Sequence, residues 1–389
     1  MLTKEIIAAV SLVLFVLTMP GTLILVSRIL KGAMRHPPLK PKETQLQFLG
    51  TVSVVIPTLN EAARIGPCLA GLGKQGYEVR EIIVVDSNSQ DQTQELVKDV
   101  ATKDPRFRLI NDPPLPKNWI GRPWALHNGF LASSPQSEWI LGIDADTQPQ
   151  FGLVASLLAV AEKESYDLIS LSPQFILKYP GEWWLQPALL ITLLYRFESA
   201  GVQANAPEQV MANGQCFFCR RSVLEKLAGY SSAKSSFCDD VTLARNIASQ
   251  GFKVGFLDGE KILKVRMYEG AKETWQEWGR SLDLKDAASV SQTWGELWLL
   301  LMVQGLPLPL LVVLLSCLCL GYSSPSLIAT IGLNLFLVII RFALLLAIAP
   351  SYQGSSWLFW LSPFADPLAV ARIFLSANTK PTQWRGRVY

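Results

Sequence analysis

Histidine is nearly missing from this chain: its 389 residues hold two, His36 and His127. That leaves almost no room for histidine-based metal centres or for a Ser-His-Asp triad. No G-x-G-x-x-G joins the first strand-like run to the helix after it, so a dinucleotide-binding Rossmann domain loses its main support. The G-x-x-x-x-G-K-[ST] phosphate loop, the G-x-S-x-G elbow and H-E-x-x-H are missing too. The six cysteines form no disulfide framework. Cys216 and Cys219 make a lone C-x-x-C and Cys317 and Cys319 lie in an apolar run, so all four read as small buried hydrophobes rather than zinc ligands. Charge is scarce, at 17% of residues against roughly 25% in a soluble domain. The net charge of +3 is small and dispersed, which argues against a nucleic-acid partner.

The missing charge is concentrated in two places. None lies between Ile6 and Ser27, and between Leu297 and Ala365 there is only Arg341. About 20 apolar residues span a bilayer. The first stretch reads as an uncleaved anchor, because only Lys4 precedes it and no small-x-small cleavage site follows. Residues 297–350 hold two further candidate spans, separated at Gly321–Pro325. Arg28, Lys31, Arg35, Lys40 and Lys42 follow the first span, and by the positive-inside rule they place the rest of the chain on the cytosolic side. The stretch from Trp357 to Leu375, with Pro363, Asp366, Pro367 and Arg372, reads as interfacial or re-entrant; a fourth span is the competing reading. The expected order is therefore an anchor (1–30), a basic linker (31–50), a cytosolic domain (51–295), two spans (296–350) and an interfacial or re-entrant segment with a basic tail (351–389). A multi-pass protein of the cell or an internal bacterial membrane follows.

Within 51–295 short β-branched runs alternate with amphipathic helical stretches. The runs are TVSVVIPT (51–58), EIIVVDSN (81–88), RFRLIN (106–111) and EWILGID (138–144). This alternation predicts a parallel sheet covered by helices on both faces. Ligands of such sheets bind beyond the carboxyl ends of the strands. Polar clusters stand at those ends: Thr58, Asn60 and Glu61; Asp86 and Asn88; Asp144 and Asp146. Side chains two apart on an extended segment point the same way, so Asp144 and Asp146 aim together into the crevice. Two such carboxylates share a proton or hold a cation, and an oxygen-only pair suits Mg²⁺ or Mn²⁺ with phosphate oxygens completing the shell. The bland alternative for DADTQP is a solvated turn.

VSVVIPTLNEAARI, IIVVDSNSQDQT, ILGIDADTQP and CDDVTLARNI stand in the order and spacing of the family 2 glycosyltransferases, which the chain resembles from Val52 to about Leu282. The resemblance implies an α/β, GT-A nucleotide-diphospho-sugar transferase fold, here with flanking transmembrane helices, and single-sugar transfer with inversion from a nucleotide-diphosphate sugar. It implies donor binding by Pro57, Thr58, Asn60, Glu61 and Asp86, and metal and diphosphate binding by Asp144 and Asp146. The acceptor-loop acids become Asp239 and Asp240, with Asp240 as the base. The chain departs from the family where the second strand ends Asp86-Ser87 rather than Asp-Asp, and where Asp239 replaces a glutamate. The Q-x-x-R-W motif of processive synthases is missing, which favours single addition.

Chemistry asks for the same groups, a base near the acceptor hydroxyl and cationic help for the departing diphosphate. An N-cap is the bland role for Asp240. In LPKNWIGRPWALHNGF (115–130), Lys117 and Arg122 are the candidates for the diphosphate, and His127 reads as structural. Asn213, Gly214 and Gln215 are candidates for the site wall. EWWLQPALLITLLYRF (182–197) reads as an interfacial helix or as ordinary core, and with the spans it points to a lipophilic acceptor at the bilayer. The layout, the ending WRGRVY and the segment GRSLDLKDA (279–287) resemble bacterial carotenoid glycosyltransferases, including those acting on xanthophyll 2′-hydroxyls. A hopanoid, a polyprenyl phosphate or a glycolipid is the alternative acceptor, and a non-catalytic donor-binding scaffold the alternative class.

Overall fold

The computed structural model describes residues 2–278, 288–378, 383–384 and 387–388. The segment GRSLDLKDA (279–287) and half of WRGRVY lie outside the described residues. The chain divides into two compact units. One contains Arg35–Ile176 and Ala200–Met267; the other contains the N-terminal helix, Leu177–Ser199 and most of the chain beyond Tyr268.

The unit holding the acidic motifs is built on a seven-stranded sheet. Its strands are β1 (Val52–Thr58), β2 (Val79–Asp86), β3 (Phe107–Asn111), β4 (Trp139–Gly142), β6 (Leu168–Ser172), β8 (Phe217–Arg220) and β9 (Val254–Asp258), in the order β3-β2-β1-β4-β8-β6-β9. The first four pair in parallel, and β8 runs antiparallel to both β4 and β6. A smaller sheet pairs β5 (Thr147–Pro149) with β10 (Leu263–Val265), which in turn pairs with β7 (Gln174–Ile176).

The central strands are apolar on both faces because helices cover both. Val54 and Ile56 of β1 and Ile82 and Val84 of β2 pack with the helices Ile65–Gly73 and Leu153–Glu164. Val55, Ile83 and Val85 alternate to the other face, against Gly121–Ala132 and Asp239–Ser249. This is why VSVVIPT and EIIVVD are unbroken hydrophobic runs rather than alternating ones. The register sets Thr58 beside Asp86, so two of the polar clusters meet at the carboxyl edge.

The other unit is helical. Thr3–Gly32 and Pro325–Ser351 are long and apolar enough to cross a membrane. Where a span was expected between them lies a pair, Val290–Gly305 and Pro307–Cys319, apolar enough together for one broken span or a re-entrant loop and bent by 51° at its break. Pro307 there has no amide hydrogen to continue the ladder. The two long helices join through small polar side chains: Ser326 Oγ donates to the Ala8 carbonyl and Thr330 Oγ1 to that of Ser11, each at 2.8 Å. Such contacts suit packing where lipid removes the hydrophobic drive. The segment 182–197 is a helix, Pro180–Arg196, with much of its apolar side buried in this unit. Trp183 packs on Tyr352 and Phe359.

One close approach fixes the helix that carries Arg122. At Gly129 an added Cβ would meet Val55 Cγ1 and stand 2.9 Å from Val85 Cγ2. Gly129→Ala is expected to lower stability by about 1–3 kcal/mol through overpacking. A shift in the thermal unfolding midpoint of the purified protein measures it, and an unchanged midpoint contradicts the packing.

Candidate active site

The site forms where β1, β2 and β4 end. Thr58 Oγ1 donates to the Val85 carbonyl at 3.1 Å and reaches Asp86 Oδ1 at 3.4 Å. Asp86 is fully buried, and its Oδ2 accepts from the Ser89 amide at 2.9 Å and from Gln94 Nε2 at 2.7 Å. Asn60 has φ +54°. Its Oδ1 accepts from the Gln90 amide and its own amide donates to Ser89 Oγ, which ties the loops after β1 and β2 together. The Glu61 amide donates to Thr93 Oγ1 at 2.9 Å. Pro57, Thr58, Asn60, Glu61 and Asp86 are thus neighbours, with Asn60 exposed on the rim and Asp86 beneath it.

β4 stops at Gly142, so Asp144 and Asp146 do not share an extended segment. A turn replaces it: the Asp144 carbonyl accepts from the Thr147 amide at 3.2 Å and from Thr147 Oγ1 at 2.7 Å. Thr147 then pairs with Val265, and the Arg266 amide donates to the Asp146 carbonyl at 3.1 Å. The Cys68 thiol lies beneath this turn, accepting from Thr147 Oγ1 at 3.5 Å. Burial above all pushes that thiol up to about 12; the Thr147 bond opposes this, and the charges of Asp146, Asp144 and Glu61 add to it. Three carboxylates therefore act on one sulfur.

Arg122 is the centre of the site. It is the second residue of the helix Gly121–Ala132. Its Nε donates to Asp144 Oδ1 at 2.9 Å, its Nη1 to Asp239 Oδ2, and its Nη2 to the Gly214 carbonyl at 2.9 Å. A Cβ on Gly214 would stand 2.7 Å from the Arg122 Cζ, so glycine is what lets the guanidinium in. Arg122 was expected on a donor diphosphate; here its donors are committed to protein acids. Lys117 remains exposed on the loop before the helix.

Asp239 and Asp240 open the helix Asp239–Ser249 behind an N-cap at Cys238. The helix N-terminus favours negative charge there. Burial outweighs that favour. It pushes Asp239 up to about 7; Arg122 pulls back, while Asp240 and Asp144 push further. Asp240 is raised as well, again by burial first, against the pull of Arg122 and of the Val241 and Gly214 amides. Its Oδ1 accepts from the Val241 amide at 2.8 Å. Asp144, Asp239 and Asp240 thus share one guanidinium, which leaves the cluster short of positive charge.

That shortage is the test for a divalent cation. Among the described residues no three His, Cys, Asp or Glu side chains are grouped to hold a metal unaided. Asp144 and Asp146 are an oxygen-only pair, and under-compensated carboxylates fit a hard cation that takes further ligands from water or phosphate. Gln215 is 4% exposed, and its Oε1 meets no hydrogen-bond partner among the described residues. Tyr230, hidden in a turn-like AGYSS, gave no sequence signal. It is 2% exposed, and its phenol lies within electrostatic reach of Arg122, Asp239 and Asp144. His127 packs against Trp119 and Trp124, and burial lowers its pKa, so it is a neutral structural ring. Cys216 and Cys219 are buried in the core.

The family described as Glycosyl transferase family 2 matches residues 53–228, and Glycosyl transferase family 21 matches 197–389. A 4,4'-diaponeurosporenoate glycosyltransferase of Staphylococcus haemolyticus is 25% identical over 244 residues, 62% of this chain and 63% of that protein. A dolichyl-phosphate beta-glucosyltransferase of Trichomonas vaginalis is 41% identical over 100 residues, 24% of this chain and 28% of that one. The chain therefore spans under two thirds of each relative. A mannosyltransferase from Pyrobaculum calidifontis, solved with GDP-mannose and Mn²⁺, superimposes with a TM-score of 0.54 at 17% identity, covering 95% of this chain and 98% of that one. That likeness shows a shared fold.

The raised Asp239 carboxyl has a consequence for stability. Unfolded, it titrates near 3.8; folded, near 7. Between those values the native state holds a proton that the unfolded state has lost, so stability falls as pH rises through that window. In chelator, Asp239→Asn is expected to flatten this decline and to raise the unfolding midpoint at pH 8 more than at pH 5. Parallel pH profiles for both proteins would contradict the assignment.

Proposed function

We propose, from the premise that the chain is a family 2 glycosyltransferase with the GT-A fold, that it moves one sugar from a nucleotide-diphosphate sugar to a hydroxyl of a lipophilic acceptor, a carotenoid. The observation that carries the reading is the gathering of Asp144, Asp239 and Asp240 around Arg122 at the carboxyl edge of the sheet.

In this reading Asp240 is the base. Asp239 is held by Arg122, whereas Asp240 keeps carboxylate capacity beyond its bond from Val241. The acceptor hydroxyl gives its proton to Asp240 as its oxygen bonds to the anomeric carbon. The bond from that carbon to the diphosphate oxygen breaks on the opposite side, which inverts the centre. A divalent cation held by Asp144 and Asp146 would neutralise the departing diphosphate. Thr58, Asn60, Glu61 and the loops they tie form the nucleoside side, with Lys117 for the phosphates. Gln215 offers a buried acceptor atom without a partner among the described residues. Arg122 spaces the acids and limits their repulsion.

The staphylococcal relative, named for a carotenoid acid, supports the acceptor class. The shorter match to a dolichyl-phosphate enzyme favours a polyprenyl phosphate as the second reading. Two helices able to cross a membrane suit either.

Asp240→Asn is expected to cut turnover by about 100-fold or more with donor affinity unchanged in a binding titration; retained turnover removes it as the base. Asp146→Ala is expected to weaken cation-dependent donor binding by about tenfold or more, and unchanged binding removes the metal role. Deleting the gene and profiling pigments and lipids by mass spectrometry separates the acceptors. Loss of a glycosylated carotenoid with build-up of its aglycone supports the first reading, and loss of a glycosylated polyprenyl phosphate with unchanged pigments supports the second.

A further inference from the structure

The helical unit carries a polar centre in the least polar part of the chain. Arg341 lies within the helix Pro325–Ile348, whose outer face exposes Ile328, Leu335, Ile339 and Leu346. Arg341 points the other way. Its Nε donates to Asp366 Oδ2 at 2.7 Å, and its Nη2 to Asp366 Oδ1 at 3.0 Å and to Ser362 Oγ at 3.3 Å. Gln304 Nε2 donates to the same Asp366 Oδ1 at 3.0 Å and to the Ala188 carbonyl at 2.9 Å. Arg341, Asp366, Gln304 and Ser362 are each at most 4% exposed.

Gln304 sits at a broken helix. Leu301–Gly305 is a π turn, and the 51° bend into Pro307–Cys319 follows directly. At membrane depth, interrupted helices persist where protein buries them or where they line a polar site, and they build the substrate sites of many transporters. The backbone of Gly305 approaches Val370 so closely that an added Cβ would stand 3.3 Å from its Cγ2. Four helical segments meet here: Val290–Gly305, the Arg341 helix, Asp366–Asn378 and Pro180–Arg196.

Three polar atoms of this centre meet no hydrogen-bond partner among the described residues: Arg341 Nη1, Gln304 Oε1 and Tyr195 Oη. Tyr195 is fully buried, and its hydroxyl lies within electrostatic reach of both Arg341 and Asp366. A buried polar group without a partner is destabilising, and three in one place call for a guest that satisfies them. They comprise a donor, an acceptor and a hydroxyl that can be either. Asp366 cancels the charge of Arg341, so an anionic guest would gain little from the one and be repelled by the other. The matching guest is neutral and both gives and takes a hydrogen bond.

We propose that Arg341, Gln304 and Tyr195 form an intramembrane recognition site for a neutral hydroxyl group on a membrane-dissolved lipid. It rests on the membrane reading of this unit and on the lipophilic class of acceptor given above, and not on sugar transfer. An ion pair buried in a span marks a functional site more often than a brace, because a brace is built more cheaply from apolar packing.

The test is a binding measurement on the full chain in phosphatidylcholine nanodiscs. Radiolabelled phytanol is competed by unlabelled phytanol or by phytane, which has the same branched chain without the hydroxyl. Phytanol is expected to compete at least about tenfold better, the worth of one good hydrogen bond. Tyr195→Phe and Gln304→Met should each reduce that preference to about threefold or less. The unfolding midpoint of Tyr195→Phe should stay unchanged or rise, because its oxygen meets no partner within the protein, whereas Gln304→Met also removes the Nε2 bonds to Asp366 and Ala188 and should lower it. Replacing the ion pair outright, Arg341→Met with Asp366→Leu, should abolish the preference without leaving an unpaired charge. Equal competition by phytane in the native protein overturns the proposal, leaving interior water as the partner of these groups. A preference that survives all three variants overturns it as well. Binding measured on the inactive Asp240→Asn protein keeps this result separate from the fate of the transferase reading.

Discussion

Everything at the candidate active site turns on one guanidinium held by two acids and a carbonyl. Arg122 joins Asp144, beyond β4, to Asp239, at the start of a helix from a distant part of the chain, and Gly214 supplies the third anchor. Without a cation between them, these closely set carboxylates would repel one another and take up protons. With one cation among three or four acids, they are held in place but remain under-compensated. The site is thereby ordered and still attractive to more positive charge, which is the state a cation-dependent sugar-donor site requires before its ligands arrive. Gly214 belongs to the same device, because any side chain there would push the guanidinium out.

Much of the sheet was legible in the sequence. Strands buried on both faces must be apolar throughout, so VSVVIPT and EIIVVD announced themselves, and β1 and β2 lie within two residues of those runs. The carboxyl-edge rule then picked out Thr58, Asp86 and Asp144 from position alone. Less legible was how the acids are aimed. The D-x-D argument assumed an extended segment, whereas a turn closed by Thr147 sets the two side chains. The ion pairs of Arg122 were hidden for a related reason: its partners lie 22 and 117 residues away, and sequence spacing carries no trace of them. Tyr230 and Cys68 were invisible because a buried phenol and a buried thiol differ little in pattern from any core residue.

The helical unit shows the complementary limit. Hydropathy located its long helices, since length and apolarity are one-dimensional quantities. It gave no sign of the 51° bend between Val290–Gly305 and Pro307–Cys319, because a window average does not register a single bend. The Pro180–Arg196 helix illustrates the same point. Its many apolar residues suited an interfacial helix or ordinary core; many of them are buried, and Trp183 meets neighbouring aromatics in that unit at tilted and edge-on angles. A segment too apolar for a soluble surface has two homes, lipid and protein interior, and composition does not distinguish them.

Arg122 and Arg341 make opposite use of the same chemistry. Arg122 faces more negative charge than it can cancel, so its surroundings raise the affinity of the acids for protons or for another cation. Arg341 faces one carboxylate that cancels it fully, in a fork-like pairing through Nε and Nη2. A guanidinium has five donor hydrogens, and Asp366 and Ser362 use only those of Nε and Nη2. Charge balance and hydrogen-bond balance are therefore separate conditions. The acidic site lacks positive charge above all, which selects a charged ligand. The site around Arg341 is neutral and short of hydrogen-bond partners, which selects an uncharged polar one. The first deficit suits the nucleotide diphosphate and cation proposed for the acidic site, and the second suits the lipid hydroxyl proposed for the helical unit.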